Sequence, residues 1–200
     1  LTVAAGSILN INSTVYNAFY FTGSAIADIQ GTVKQSRAIN LVSFGATLST
    51  TTGAPGFQFA NAENIGVNFI LGPASTVEFS RGNSGTAQVI TPRTDYVNLT
   101  ISDGTAGANT KTVNGTVNVS GTLTTNQING SSAISGSPFI LANGASIVRT
   151  AGSFGNGISF GSTVNLKYNG AGTQTPGVEM PADGSVLNNL TIAGTASLSL

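Results

Sequence analysis

Residues 112–124 read Thr-Val-Asn-Gly-Thr-Val-Asn-Val-Ser-Gly-Thr-Leu-Thr, and every second position in this stretch is polar. The positions between them are Val, Leu or Gly. Because successive side chains of a β-strand point to opposite faces, this alternation puts the apolar set on one face and the polar set on the other. The stretch therefore predicts β-structure with one buried face and one face in water.

The same alternation recurs elsewhere in the chain. Near the C-terminus, apolar residues occupy positions 190, 192, 196, 198 and 200, and Thr or Ser occupies positions 191, 195, 197 and 199. Shorter alternating sets lie at 67–71, 77–79, 97–102 and 164–168. Clusters of Gly, Asn, Ser, Asp and Pro, which favour turns, lie between such sets at 53–56, 81–85, 169–172 and 182–184. No segment has the pattern of an amphipathic helix, so the sequence predicts an all-β protein.

Composition excludes several classes of function. Charged residues make up 7% of the 200-residue chain, and the seven acidic and seven basic side chains cancel. The bases are scattered, whereas nucleic-acid binding needs clustered Lys and Arg. The chain has no Cys and no His, which removes disulfides, Cys-ligated metals and the commonest general base. No apolar run approaches the roughly 18 residues that cross a bilayer.

Three short blocks recur in the same order. Residues 45–48 resemble 144–147, residues 75–79 resemble 162–166, and residues 97–101 resemble 188–192. The separations differ, which indicates intervening loops of different length. The sequence thus predicts two degenerate internal repeats, roughly 45–103 and 144–195, within one continuous solenoid segment that spans residues 1–200.

Two architectures agree with many short strands. A parallel β-helix, or β-solenoid, with irregular rungs is favoured because the repeat is tandem and because strands outnumber two-residue Asn-Gly hairpins. Small Thr, Ser and Asn side chains also stack well between successive rungs. The alternative is a β-sandwich completed by a donated strand, which predicts mostly antiparallel pairing.

Four segments carry a resemblance to a known class of proteins. They are 96–101 (Tyr-Val-Asn-Leu-Thr-Ile), 115–123, 144–150 and 187–195. They resemble the long Gly/Thr/Asn-rich surface repeat proteins of Bacteroidetes and related bacteria, over most of residues 45–200. The resemblance implies export, a β-helical shape and a role as an adhesin, filament or matrix component. It implies no catalytic residue.

Catalytic and ligand-binding patterns are scarce. The acids are Asp28, Glu63, Glu78, Asp95, Asp103, Glu179 and Asp183. No two acids share a strand face at i, i+2, although glycoside hydrolysis needs two carboxyl groups close together, so we expect turn or solvated positions. A calcium loop needs several closely spaced oxygen ligands, and Asp-x-Asp is absent. We therefore predict no catalytic, cofactor-binding or metal site and no cofactor.

One further surface pattern is a Thr row. Thr112, Thr116, Thr122 and Thr124 form a candidate ladder for ice or for a crystalline glycan, which Asn and Ser interrupt. The alternative interpretation is that these residues form an ordinary solvent-exposed face, because Thr has a good β-propensity.

The function predicted from the sequence is structural and non-enzymatic. We expect a self-assembling extracellular filament or surface-layer component whose partner is another copy of the chain, joined end to end or side by side. The alternative is a cell-surface adhesin that binds glycans, and a third hypothesis is a polysaccharide-cleaving β-helix with Glu78 or Glu179. The chain starts at Leu1 and stops within an alternating stretch, so we expect the mature part of a longer protein that is secreted or held at the cell surface.

Overall fold

The computed structural model describes residues 2–4, 6–11, 20–22, 27–29, 32–35, 42–44, 48–49, 56–59, 69–71, 73–80, 87–103, 110–126, 134–155 and 157–199. Side chains of the strands between residues 10 and 70 are outside this description. The described residues contain strands and turns and no helix, which confirms the all-β prediction.

The described residues form 22 strands. They are β1 (Thr2–Val3), β2 (Ile8–Ile11), β3 (Tyr20–Thr22), β4 (Ala27–Ile29), β5 (Thr32–Gln35), β6 (Val42–Phe44), β7 (Leu48–Ser49), β8 (Gly56–Phe59), β9 (Phe69–Ile70), β10 (Thr76–Phe79), β11 (Gln88–Ile90), β12 (Arg93–Ser102), β13 (Lys111–Val113), β14 (Val117–Asn126), β15 (Ile134–Gly136), β16 (Phe139–Leu141), β17 (Ala145–Ala151), β18 (Ile158–Ser159), β19 (Val164–Tyr168), β20 (Ala171–Gln174), β21 (Leu187–Ile192) and β22 (Thr195–Leu198).

Nine strands form the main path of one sheet, in the order β2–β5–β8–β10–β12–β14–β17–β19–β21. Every neighbouring pair on this path is parallel. Since parallel neighbours need a crossover between them, the chain coils once for each main-sheet strand. The predicted parallel β-solenoid is confirmed, and the rival sandwich is wrong because no described strand pair is antiparallel.

Shorter parallel sheets occupy the segments between main-sheet strands, in the orders β1–β4–β7–β9, β11–β13–β15, β20–β22 and β3–β6. Rung length varies, as predicted. Leu99 pairs with Leu123, 24 residues later, whereas Ile147 pairs with Leu166, 19 residues later. The corners between strands absorb most of the difference, and shifts of register inside strands, such as the one between Val164 and Asn165 opposite β21, absorb the rest.

The core is a stack of aliphatic columns. Val77, Leu99, Leu123, Ile147 and Leu166 pair in succession and are all buried, and we call them the central column. Burying one such side chain is worth about 1.5–3 kcal/mol. The alternation at residues 112–124 is confirmed, because Val and Leu point inward and the Thr, Asn and Ser positions are half-buried or exposed.

The outer face of the same sheet carries a polar ladder. Successive members of one outward column are Thr76, Asn98, Thr122, Ser146, Asn165 and Asn189. The amide of Asn98 donates from Nδ2 to the carbonyl of Ser75 over 3.2 Å, and its Oδ1 accepts from the backbone N–H of Thr122 over 3.1 Å. The Asn side chains therefore bond between rungs and stabilise the register.

One corner depends on glycine. Gly136 ends β15 at a φ of +102°, in the left-handed region. A Cβ at this position would lie 2.1 Å from the carbonyl oxygen of Val113 on the neighbouring rung. Both the backbone angle and the close approach therefore require glycine here.

The predicted internal repeat coincides with the register of the main sheet at one matched block and differs from it at another. Leu99 and Leu190 match in the sequence blocks and lie in the same column, four strands apart on the main path. Val77 lies in the column of Leu166, although the blocks match Phe79 with Leu166. Residues 45–47 of the first block lie outside the described residues. The two copies, and the single solenoid segment 1–200, stay predictions.

We expect Leu123→Ala to lower the free energy of unfolding by about 2–5 kcal/mol, because it opens a cavity in the central column. The matched control is Thr124→Ala on the outward face of the same strand, which should change it by less than about 1 kcal/mol. Urea denaturation followed by circular dichroism measures both. Equal losses in the two variants would contradict the assignment of inner and outer faces.

Candidate functional site

The predicted acids lie in different environments. Asp183 is exposed, and hydrogen bonding from the side chain of Ser185, followed by that from its backbone N–H, which lies 2.8 Å from Oδ1, lowers the pKa of the Asp183 carboxyl group. Asp95 is an exposed partner of Arg93. These two positions agree with the expectation of turn or solvated acids. Asp28 lies in β4 without a described side chain, and Glu63 lies outside the described residues.

Two acids are buried although turn or solvated positions were expected, and one of them, Glu179, does lie in a turn. Asp103 follows β12 and Glu179 lies in a turn, yet both side chains are fully buried. Both occupy corners, where the alternation that predicts burial in strands does not apply. Glu78 is half-buried and accepts a hydrogen bond from the hydroxyl of Ser102 over 2.6 Å.

Glu179 belongs to a buried polar cluster. Its Oε1 accepts from Nη1 of Arg149 over 2.6 Å, from the hydroxyl of Tyr168 over 3.1 Å and from the backbone N–H of Gly177 over 3.1 Å. Arg149 also donates to the carbonyls of Gly152 and Thr175. The guanidinium carbon lies 5.8 Å from the centre of the Tyr168 ring.

The electrostatics of this cluster are those of a buried ion pair in which Oε1 of Glu179 accepts these hydrogen bonds and Oε2 has no hydrogen-bond partner among the described residues. Burial, followed by the nearby charge of Glu179, raises the pKa of the Tyr168 hydroxyl well above its usual range. The tyrosine therefore stays protonated and acts as a hydrogen-bond donor. The Arg149–Glu179 ion pair joins the main sheet to the turn before β21, so it fixes a corner of the solenoid rather than presenting reactive groups to solvent.

Sequence reasoning missed this cluster, although one signal was available. In β17, alternate residues lie on the same face of the strand. Ala145, Ile147 and Arg149 form one such set, and Ala145 and Ile147 point into the core. Arg149 belongs to the same set, so its side chain must also point inward. A buried guanidinium group needs an acid inside the coil to balance its charge. The acid comes from the 175–186 corner, where no periodicity marks Glu179.

A second ion pair joins a buried base to an exposed acid. Arg93 donates from Nε and Nη2 to the two carboxylate oxygens of Asp95 over 2.8 and 2.6 Å. With Pro92, Thr94 and Thr116 they line an open depression. Asp95 occupies the Nε and Nη2 edge of the guanidinium group in a bidentate pair, so this edge is already engaged by a carboxylate.

The candidate Thr row is divided by the structure. Thr122 and Thr124 lie on β14, Thr116 lies in the preceding corner, and Thr112 lies on β13 of a different sheet. The four residues therefore do not form one flat face. In the column of Thr124 the neighbours are Thr100 and Val148, so a regular Thr array is interrupted there as well.

Among the described residues, no group of three or more His, Cys, Asp or Glu side chains could hold a metal ion. None of the described residues belongs to a helix long and apolar enough to cross a bilayer.

The last main-sheet strand carries the most exposed large apolar side chains among the described residues. Leu190 continues the central column, and Ile192 continues the neighbouring inward column after Tyr168. Their exposed fractions are 45% and 50%, whereas Leu166 and Tyr168 are buried. On the path of the main sheet β21 pairs with β19 on one side, so its other edge is the end of the described sheet.

The chain matches no protein-family model, no curated protein and no solved structure. The resemblance to Bacteroidetes surface repeat proteins stays a prediction.

We expect Glu179→Ala to lower the free energy of unfolding by about 3–5 kcal/mol, because it leaves the largely buried Arg149 without its acid. The double variant Arg149→Met with Glu179→Met should recover most of this loss, since it removes both charges. Urea denaturation of the single and double variants measures the coupling between the two residues. Asp183→Ala is the exposed-acid control, and additive losses at Arg149 and Glu179 would contradict the ion pair's role.

Proposed function

We propose that this protein is a structural component of an extracellular filament or surface layer, and that its copies join end to end through the edge of β21. The observation that carries the proposal is the pair Leu190 and Ile192, which stand in inward columns and are about half exposed. Another rung placed on this edge would bury both side chains and pair the backbone of the strand.

The composition of the edge favours pairing. Strands whose edges must stay unpaired are blunted by charged side chains, Pro or bulges. Neither β21 (Leu-Asn-Asn-Leu-Thr-Ile) nor β22 (Thr-Ala-Ser-Leu) contains a charged residue or Pro. Such an edge is a template for a parallel strand from a second copy.

The other end of the main sheet has a matching pattern. On the main path β2 pairs with β5 on one side, and Leu9 stands at the start of the column that ends at Leu190. A second copy that adds β2 to β21 would bring Leu9 onto Leu190 and Ile11 onto Ile192. The central column would then run through the joint without a change of register.

The charge of the chain supports lateral packing as well. With 7% charged residues and a formal net charge of zero, copies of the rod repel one another little. A secreted or cell-surface location and a glycan-binding role remain predictions from the sequence.

The test is Leu190→Glu with Ile192→Glu in the full chain. We expect the wild type to form fibres or higher oligomers and the double variant to remain monomeric, because two carboxylates would be buried unpaired at the joint. Electron microscopy and sedimentation velocity read out assembly, and circular dichroism checks that the fold is kept.

The matched control is Thr191→Glu, which puts a carboxylate on the outward face of the same strand, in register with Lys167. It should leave assembly intact. A monomeric wild type, or fibres that persist in the double variant, would refute the proposal.

A further inference from the structure

Asn-Gly pairs recur along the chain, at 114–115, 129–130, 143–144, 156–157 and 169–170. The first, third and fifth pairs lie wholly within the described residues, between strands, and each has an exposed Asn. A backbone nitrogen that follows Asn can attack the side-chain amide, and glycine leaves this attack unhindered because it has no Cβ. How readily each pair reacts therefore depends on how firmly the fold holds the Asn side chain and the Gly N–H.

The pair Asn143–Gly144 is held at both groups. Oδ1 of Asn143 accepts from the hydroxyl of Ser162 over 2.5 Å, and from the backbone N–H and the hydroxyl of Thr163 over 3.0 and 2.9 Å. The backbone N–H of Gly144 donates to the carbonyl of Thr163 over 2.8 Å. Attack requires both the amide and the N–H to be released first, so the fold protects this pair.

The pair Asn114–Gly115 is held at one group. The backbone N–H of Gly115 donates to the hydroxyl of Ser137 over 3.2 Å, which is long for a hydrogen bond of this kind. The side chain of Asn114 is exposed. One long hydrogen bond therefore stands between this pair and attack.

The pair Asn169–Gly170 is open at both groups. Asn169 is exposed, and among the described residues neither its side chain nor the backbone N–H of Gly170 has a hydrogen-bond partner. The backbone N–H of Asn169 itself donates to the carbonyl of Arg149 over 2.9 Å, so the ladder ends directly before the pair. The amide and the nucleophile that could attack it are thus both free at this corner.

We propose that Asn169 is a site of self-modification, at which the backbone of Gly170 converts the side-chain amide into a carboxylate. The nitrogen of Gly170 attacks Cγ of Asn169, and the new Cγ–N bond closes a succinimide ring. The Cγ–Nδ2 bond breaks, and Nδ2 leaves as ammonia with the proton that the glycine nitrogen loses. Solvent water then opens the ring at either carbonyl, which gives aspartate or isoaspartate. The reaction consumes water and needs no oxidant, reductant or cofactor.

The product changes the corner between β19 and β20. It adds one negative charge to a chain whose formal net charge is zero, and isoaspartate also lengthens the backbone by one methylene. A Cβ on Gly170 would collide with the carbonyl of Thr150 and the amide of Gln174, so the corner is closely packed there. The isoaspartate form should therefore displace the start of β20 and loosen its pairing with β22. The reaction takes place within one chain and does not depend on whether copies assemble.

Peptide mapping by mass spectrometry, after incubation of the folded full chain at neutral pH, tests the proposal. We expect the replacement of NH2 by OH to accumulate at Asn169 more than about tenfold faster than at Asn143, because opening the Asn143 pair breaks several hydrogen bonds. Asn114 should fall between them. Trypsin cleavage after Lys167 gives a peptide, 168–200, that contains a single Asn-Gly pair. Equal rates at the three pairs in the folded chain, or an unmodified Asn169, would overturn the proposal.

The same chain incubated in urea is the matched control. Unfolding should bring the three pairs to similar rates, and a tenfold preference that persists in urea would overturn the role given to the fold. Ser162→Ala with Thr163→Val removes two donors to Oδ1 of Asn143 and should raise the rate there a few-fold without changing that at Asn169. Asn169→Gln should leave peptide 168–200 unmodified, because glutamine would have to close a larger ring. A mass gain of that peptide which persists in this variant would refute the assignment.

Discussion

The structure depends on the parallel register of successive rungs. In a parallel stack each residue lies on the equivalent residue of the next rung, and the backbone groups of each strand are satisfied by the strands above and below. The central column therefore keeps one environment between the described strands β10 and β19. Val77, Leu99, Leu123, Ile147 and Leu166 share the interior, and the Asn and Thr positions share the outer ladder.

The same constraint explains the buried charges. A polar residue that enters an inward column cannot turn outward without a shift that would expose its whole strand. Arg149 therefore forms an ion pair with Glu179 inside the coil and packs against the ring of Tyr168, and Lys111 donates a hydrogen bond to Gln88. In each case a group from another rung or from a corner supplies the partner, so the polar contact also fixes which segments are neighbours.

The fold was predictable because its main signals are periodic. Alternation at residues 112–124 gives the correct inner and outer faces, and the tandem pattern with few hairpin turns favours a solenoid over a sandwich. Burial at the corners was not predictable, because alternation does not apply there. Asp103 and Glu179 were expected in turn or solvated positions, and Glu179 does lie in a turn, but both side chains are buried. The Thr row failed for the same reason, since the chain turns a corner between Thr112 and Thr122.

Contacts between rungs determine how a rod of this kind resists a force that pulls on its two ends. The hydrogen bonds of the ladder run along the axis of the coil, so a pull on the two ends loads them one rung at a time. The Arg149–Glu179 pair joins residues 30 positions apart, and the Lys111–Gln88 contact joins residues 23 apart, so each closes one turn of the coil onto a neighbouring segment. In a chain without Cys, such side-chain links are the means by which one turn can be held to the next when the backbone ladder is strained.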